Sequence, residues 1–237
     1  MFDAVRYKDR ISAHDASGLP LMLDWEKVEG KSPRLTQVIH ECSEILADTY
    51  TRQEIEFARA HPEAVPGEHF LQPLAPFFRD GTDRVDWSKA EQELHYNFSH
   101  LFSATDFAQY ASPRDISYFV IARDSYNRLL GLIQFVAIPE YPKGTIKSAY
   151  FGLAKEARDR GIERLLMNSI FQIVAGIQRI FMHTRTTNHQ LIELCQSWGF
   201  TSFKGNLTHW IDLEYAGASQ FALLNAVGVQ KRNSTLF

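Results

Sequence analysis

The chain has 237 residues, of which 45% are hydrophobic and 22% charged, the usage of a globular protein with a sizeable core. No apolar run reaches the roughly 20 residues that span a bilayer, and the charged start, Met1–Asp9, lacks the apolar segment of a secretory signal. Cys42 and Cys195 are far apart and without metal-ligand spacing. We therefore expect a cytoplasmic protein with reduced thiols, no metal and no membrane association.

The net charge of −3 is unevenly distributed. Residues 1–115 contain 12 Lys and Arg against 20 Asp and Glu, whereas residues 116–237 contain 13 against 8. A basic half suits a polyanionic ligand, and an acidic half suits a cationic one. The imbalance is too small to indicate a nucleic acid, and we predict no such partner.

Residues 1–112 form the first predicted region, which is mostly helical. Leu19–Leu23 suggests one short strand, and the prolines and glycines of residues 61–83 predict an irregular connection. Signals for helix starts are Ser32-Pro33, Thr51 with Glu54, and Ser88 with Glu91.

Residues 113–216 form the predicted core, and residues 217–237 a C-terminal tail. Apolar periodicity in the core predicts strands at Ile116–Arg123, Leu129–Ile138, Thr145–Leu153, Arg179–Thr184, near Phe200 and at Leu207–Tyr215, with helices from Ile162 to Ile177 and from Asn188 to Trp198. The order β-β-β-α-β-α-β-β predicts an α/β fold in which helices cover a mixed sheet.

The strand that ends at Leu153 runs through a basic loop with Gly161 directly into an amphipathic helix. The first N–H groups of a helix lack internal acceptors and lie at the positive end of its dipole, so such a start binds anions. Arg158, Arg160 and Arg164 add positive charge around it. An ordinary strand–loop–helix joint with solvated arginines is the alternative that this stretch alone leaves open.

The sequence Arg158-Asp159-Arg160-Gly161-Ile162-Glu163 resembles the (Arg/Gln)-x-x-Gly-x-(Gly/Ala) signature of the GNAT N-acetyltransferase family. Downstream, Asn188–Leu191 and Trp198-Gly199-Phe200 resemble the second motif of that family. The resemblance covers about residues 116–215 and leaves most of the first 110 residues unmatched.

This resemblance implies a GNAT-like fold that binds acetyl-CoA, or another acyl-CoA, across a splayed sheet. Backbone N–H groups of residues 158–163 would hold the pyrophosphate, Leu153 would pair with the pantetheine arm and polarise the thioester carbonyl, and Asn188 would contact that arm. An amine, carried by a small molecule or a peptide and plausibly cationic, would attack the acyl group directly.

Two positions depart from the family pattern. Glu163 stands where the family has Gly or Ala, and a carboxylate repels a pyrophosphate unless it turns outward. Cys195 stands where the family commonly has a tyrosine that protonates the leaving thiolate. The thiol is either a proton donor or a small buried core residue.

Few other acid–base groups stand out near these motifs. Tyr150, in the third predicted core strand, either faces the acceptor or packs. His183 is expected to be hydrogen-bonded in the core, His189 to be exposed at a helix start, and His209 to lie in a late strand.

Three functional hypotheses follow. The first is transfer of an acetyl or short acyl group from CoA to an amine, with the acidic first half shaping or covering the acceptor site. The second is a catalytically weakened module that binds CoA or a protein, which Glu163 and Cys195 favour. The third is acyl-homoserine lactone synthesis, which nothing in the first half supports.

Overall fold

A computed structural model of the chain describes residues 9–30, 32–78, 85–103, 114–174, 176–204 and 207–216. Within these ranges, none of the helices has the length and apolar character needed to cross a membrane. The strands are β1 (Asp9–His14), β2 (Pro20–Glu29), β3 (Ile116–Asp124), β4 (Leu129–Ala137), β5 (Thr145–Leu153), β6 (Arg179–Arg185), β7 (Thr201–Lys204) and β8 (Trp210–Ala216). The α-helices are α1 (Pro33–Glu41), α2 (Ser43–Ala60), α3 (Trp87–Ser103), α4 (Ile162–Ile173) and α5 (His189–Ser197).

The eight strands form one mixed sheet in the order β1-β2-β3-β4-β5-β6-β8-β7. All neighbours are antiparallel except β5 and β6, which are parallel. The predicted α/β class and the order β-β-β-α-β-α-β-β over the second half are confirmed. The sheet also runs across the predicted boundary near residue 112, because β2 pairs with β3 along its length.

The two faces of the sheet carry different helices. A Cβ added at Gly152 of β5 would stand 3.0 Å from Ile45 of α2, whereas one added at Gly131 of β4 would stand 3.3 Å from Leu166 of α4. Ile45 and Leu166 both belong to one continuous core that includes residues of both faces. Helix α2 therefore covers the face opposite α4.

The first half contains more strand than its sequence indicated. Strand β1 was not predicted, and β2 extends well beyond the predicted Leu19–Leu23. Their pairing in a hairpin supplies the hydrogen bonds that make both stable.

Two predicted helix caps in the first half are wrong, and one is confirmed. Ser32 caps α1 as expected, its hydroxyl accepting the N–H of Leu35. Thr51, however, lies in the middle of α2. Asp86 rather than Ser88 accepts a backbone N–H at the start of α3. Residues 62–67 and 69–78 form two 3₁₀ helices within the predicted connection.

Candidate active site

Strands β5 and β6 part to form a cavity. They pair only from Thr145 with Arg179 to Lys147 with Phe181, and beyond this point residues 148–153 of β5 and 182–184 of β6 line an opening of about 720 Å³. The opening reaches from the start of α4 to α2 on the opposite face. A wedge between parallel strands exposes backbone N–H and C=O groups that the sheet leaves unpaired.

The edge of β5 that faces the opening is irregular at Ala149. Gln134 of β4 is opposite Tyr150 while Phe135 is opposite Ser148, so Ala149 forms a β-bulge. Further along, the N–H of Ala154 donates to Leu130 of β4. Because successive N–H groups in a strand point to opposite edges, the N–H of Leu153 faces the opening.

The loop before α4 turns sharply at Gly161. This residue is the N-cap of α4 with φ of 71° and ψ of 13°, a left-handed conformation that suits glycine. Close by, the Nε atom of Arg158 is buried in the cavity wall and has no hydrogen-bond partner among the described residues. The loop thus presents a helix start and an unsatisfied guanidinium donor to the same cavity.

The β1–β2 turn holds this loop in place. The N–H of Ala16 donates to the carbonyl of Arg160 at 2.9 Å, and Nε of Arg160 donates to Asp15 at 2.8 Å. Burial acts to raise the pKa of Asp15, but the N–H of Leu19, the Arg160 guanidinium and a second N–H outweigh it and hold the pKa below its ordinary value. Arg160 is therefore engaged by the protein itself.

Charges of both signs line the cavity near this loop. Arg52 of α2 faces the same space as Arg158, and burial, followed by the positive charge of Arg158, lowers the pKa of the Arg52 guanidinium. Glu163 also lines the cavity, and its Oε2 is buried with no hydrogen-bond partner in the described part of the chain. With Lys147, Asp115 and Asp159, the described part of the chain places three basic and three acidic side chains on the cavity wall, which is balanced in charge there despite the acidic first half.

Helix α2 and the segment after it supply an aromatic wall. Tyr150 of β5 packs edge-on against Tyr50 at 6.3 Å between ring centroids, and burial raises the pKa of Tyr50. Phe70 and Trp210 line the same side. Across the opening, the amide of Asn188 donates to Gln53 at 3.3 Å and to Thr184 at 3.0 Å, while its oxygen caps α5.

A buried ionic network fixes α2 over β6. Arg185 is fully buried, and its Nη2 donates to Glu54 at 2.6 Å while its Nη1 lies 3.0 Å from Glu68. The guanidinium is also sandwiched between Phe57 at 4.0 Å and Trp210 at 4.4 Å from the ring centroids. Burial raises the pKa of Glu54, and the Arg185 charge opposes that effect.

Cys195 lies outside the cavity wall formed by the described residues. Its side chain is fully buried, its sulfur lies 3.8 Å from Met182, and burial raises its pKa to about 12. These surroundings are those of a core thiol. They favour the packing role over the proton-donor role that the sequence left open.

His183 differs from its expected place in the core. It is hydrogen-bonded, with Nδ1 at 2.5 Å from Oδ1 of Asp212, but 45% of its side chain is exposed. It lines both the cavity and an adjoining open groove of about 320 Å³.

The predicted site residues divide into two groups. Those that line the cavity are Leu153, Arg158, Asp159, Glu163, Asn188 and Tyr150. Those that do not line it among the described residues are Arg160, Gly161, Ile162, Arg164 and Cys195. The backbone N–H groups of Gly161 and Ile162 remain candidates, because an anion contacts a helix start through the main chain. The sequence analysis missed Arg52, Gln53, Phe70 and Trp210, which reach the cavity from elements without a motif.

A family model for the acetyltransferase (GNAT) family matches residues 82–200, half of the chain. The chain belongs to the GNAT family. None of the curated proteins compared with the sequence matches it.

The solved structures to which the chain is similar include the following three. The GNAT domain of PAT from S. lividans has 11% identity and a TM-score of 0.46, with 87% of this chain and 96% of that one covered. An acetyltransferase from Thermus thermophilus has 12% identity and a TM-score of 0.45, with 81% and 96% covered. The spermidine/spermine N-acetyltransferase SpeG from Vibrio cholerae has 15% identity and a TM-score of 0.41, with 86% and 98% covered.

Proposed function

We propose that this GNAT protein transfers an acetyl or short acyl group from acyl-CoA to an amine. The observation that carries the proposal is the fork between β5 and β6, which opens a cavity from the start of α4 to the aromatic wall under α2. One end of this cavity suits a polyanion, and the other suits an apolar molecule with an amine.

The polyanion end is built around the α4 start. The N–H groups of Arg164 and Leu165 donate to Gly161, so the N–H groups before them lack helical acceptors. Arg158 has a buried donor without a partner among the described residues, and Arg52 faces it with like charge. A diphosphate between the two guanidiniums would satisfy the first and relieve the repulsion that lowers the pKa of the second.

The strand edge suits a pantetheine arm. The N–H of Leu153 faces the opening, and the bulge at Ala149 widens it. An amide of the arm would add to β5 as a strand does, with Asn188 on the opposite side. A donor aimed at the thioester carbonyl would stabilise the negative charge that develops when the amine attacks. A bond then forms between the amine nitrogen and the acyl carbon, the C–S bond breaks, and the amine loses a proton.

The charge balance of the wall shapes our expectation for the acceptor. Tyr50, Phe70 and Trp210 offer apolar surface, and the acidic side chains are matched by basic ones. We therefore propose an amine with an apolar or aromatic body, which a small molecule or a peptide end can supply. The cationic amine or basic peptide expected from the acidic first half is the alternative acceptor, which the measurement below tests.

Glu163 favours the second candidate, a module that binds CoA without efficient transfer. Glu163 lines the cavity beside the proposed phosphate site, and its buried Oε2 has no partner among the described residues. Such a charge weakens diphosphate binding. Glu163→Ala restores the small residue of the family signature, and we expect it to tighten acetyl-CoA binding roughly tenfold, or about 1.4 kcal/mol.

The test combines binding with turnover. Native mass spectrometry of the purified protein would detect co-purified CoA, and calorimetry would measure the Kd for acetyl-CoA. Release of free CoA would then be followed with arylalkyl amines, polyamines and peptide N-termini. We expect binding and transfer to at least one class. Tight binding without transfer to any class supports the module, and absence of binding contradicts both candidates.

A further inference from the structure

His183 stands at the point where the two central strands separate. Phe181 is the last residue of β6 that pairs with β5, and His183 follows it on the same face of the strand. On β5, Lys147 is the partner of Phe181, and the bulge residue Ala149 lies two positions beyond it. An acyl group carried between the strands would pass this fork.

The fork opens toward the acceptor side. Arg185, two residues beyond His183 on the same face, is covered by α2 and Trp210, whereas His183 itself is exposed. The ring lies between the cavity and the adjoining groove, whose wall includes Tyr141, Phe181 and Phe203. An acceptor amine that enters along this face meets His183 before it reaches the acyl group.

Asp212 fixes the protonation pattern of the ring. It is directly opposite His183 in the β6–β8 ladder, and its carboxylate only accepts hydrogen bonds when ionised. Nδ1 of His183 is therefore the donor, and Nε2 is left as the basic nitrogen. A carboxylate in this position also stabilises the imidazolium that forms when Nε2 takes a proton.

Several of the other titratable groups on the cavity wall are less suited to accept a proton from an amine. His183 is the sole histidine among the described residues that line it. Tyr50 is buried, with its pKa raised, and Cys195 is not part of the wall. Asp159 and Glu163 lie at the α4 loop, the end proposed for the phosphates.

We infer that Nε2 of His183 accepts the proton that an ammonium acceptor must lose before its nitrogen attacks the acyl group, with Asp212 as the positioning residue. This inference rests on the proposed acyl transfer. The ammonium nitrogen gives one proton to Nε2, and His183 releases it to water. The neutral amine then forms the new N–C bond as the C–S bond breaks, and the second proton leaves the nitrogen for the thiolate or for water. General base catalysis of this kind contributes about 10²–10⁴-fold in rate.

The experiment uses two acceptors that share an aromatic body and differ in basicity. An alkylamine such as 2-phenylethylamine resembles lysine, with a pKa near 10, and is almost wholly protonated at pH 7. Phenylacetohydrazide carries a nucleophilic nitrogen that is already neutral there. Both nitrogens lose one proton as the amide forms, but only the alkylamine must lose an additional proton before it can attack.

His183→Gln keeps a polar side chain of similar reach but cannot act as a base at neutral pH. We expect it to lower kcat with 2-phenylethylamine by about 10²-fold or more and kcat with the hydrazide by less than about tenfold. The Kd for acetyl-CoA should stay within about twofold. Asp212→Asn should also lower kcat more with 2-phenylethylamine than with the hydrazide, but by less than His183→Gln does. Asp212→Glu should recover part of that loss in kcat.

The control is His40→Gln, because His40 is an exposed histidine on α1 outside the cavity wall. It should leave both rates unchanged. Equal losses with both acceptors in His183→Gln, or no loss with either, overturn the inference while wild-type transfer upholds the proposed function. A wild-type protein that binds acetyl-CoA and acetylates neither probe contradicts the proposed transfer itself.

Discussion

Removing the buried guanidinium of Arg185 tests whether the network under α2 stabilises the fold. In Arg185→Met, the apolar side chain keeps contact with Phe57 and Trp210, but Glu54, 1% exposed, loses its partner. Leaving one member of a buried pair uncompensated costs about 3–5 kcal/mol. We expect the free energy of unfolding at pH 7.5, from urea denaturation followed by circular dichroism, to fall by about that amount.

A matched control lies on the same strand and face. Arg179 pairs with Glu214 at 2.6 Å and lies over Phe181, but 41% of its side chain is exposed. Arg179→Met should cost less than about 1 kcal/mol, because solvent screens an exposed pair. Both substitutions remove an ion pair, so the difference between their losses of unfolding free energy measures the effect of burying the pair.

The pH dependence of Arg185→Met has a definite sign. Burial already raises the pKa of Glu54, and without Arg185 nothing comparable opposes that effect. In the unfolded chain the carboxyl titrates near its ordinary value of about 4.3. The loss of unfolding free energy in Arg185→Met should therefore grow as pH rises from the unfolded pKa of Glu54 through its raised folded pKa. The same loss should shrink as pH falls toward 5.

A second substitution completes the cycle. Glu54→Gln in the Arg185→Met background removes the stranded charge, so we expect it to recover a large part of the lost stability. A deficit in Arg185→Met no larger than that in Arg179→Met would refute the reasoning. A double variant, Arg185→Met with Glu54→Gln, that is less stable than Arg185→Met alone would also refute it.

Three further predictions concern the loop and the thiols. Asp15→Asn should weaken acetyl-CoA binding by roughly tenfold, because Arg160 then loses the carboxylate that holds the loop before α4 in place. An unchanged Kd by calorimetry would contradict this prediction. Since the pKa of Asp15 is lowered, its stabilising effect should be complete above about pH 4 and disappear as pH falls through the folded pKa. Gly161→Asp should abolish acetyl-CoA binding. The protein should still fold, because a Cβ at this position meets only ordinary contacts and the left-handed backbone costs about 1–2 kcal/mol. Retained affinity for acetyl-CoA would rule out the anion site. Cys42 and Cys195 are both buried and have raised pKa values, so their thiols should react with a disulfide reagent only after urea unfolds the chain. For the same reason, Cys195→Ala should keep kcat within about twofold of wild type.

The sequence determined the elements of the second half and their order, although α4 ends at Ile173 rather than at the predicted Ile177. Strand β5 was predicted at its observed bounds, and Asn188 caps α5 as its motif indicated. These signals are local, because apolar periodicity and capping depend on residues within a few positions of each other. The glycine turn before α4 is equally local, since the left-handed backbone at Gly161 needs only the residue itself.

Tertiary structure decided what the first half does. Strand β1 exists because β2 pairs with it, and α2 reaches the cavity because Glu54 meets Arg185, 131 residues away. No periodicity encodes such contacts, since each side chain alone reads as an exposed charge. The same holds for His183 and Asp212, which are 29 residues apart and become neighbours only through the β6–β8 register. Local patterns in the sequence therefore set the elements and the glycine turn before α4, while long-range pairing set the walls of the cavity.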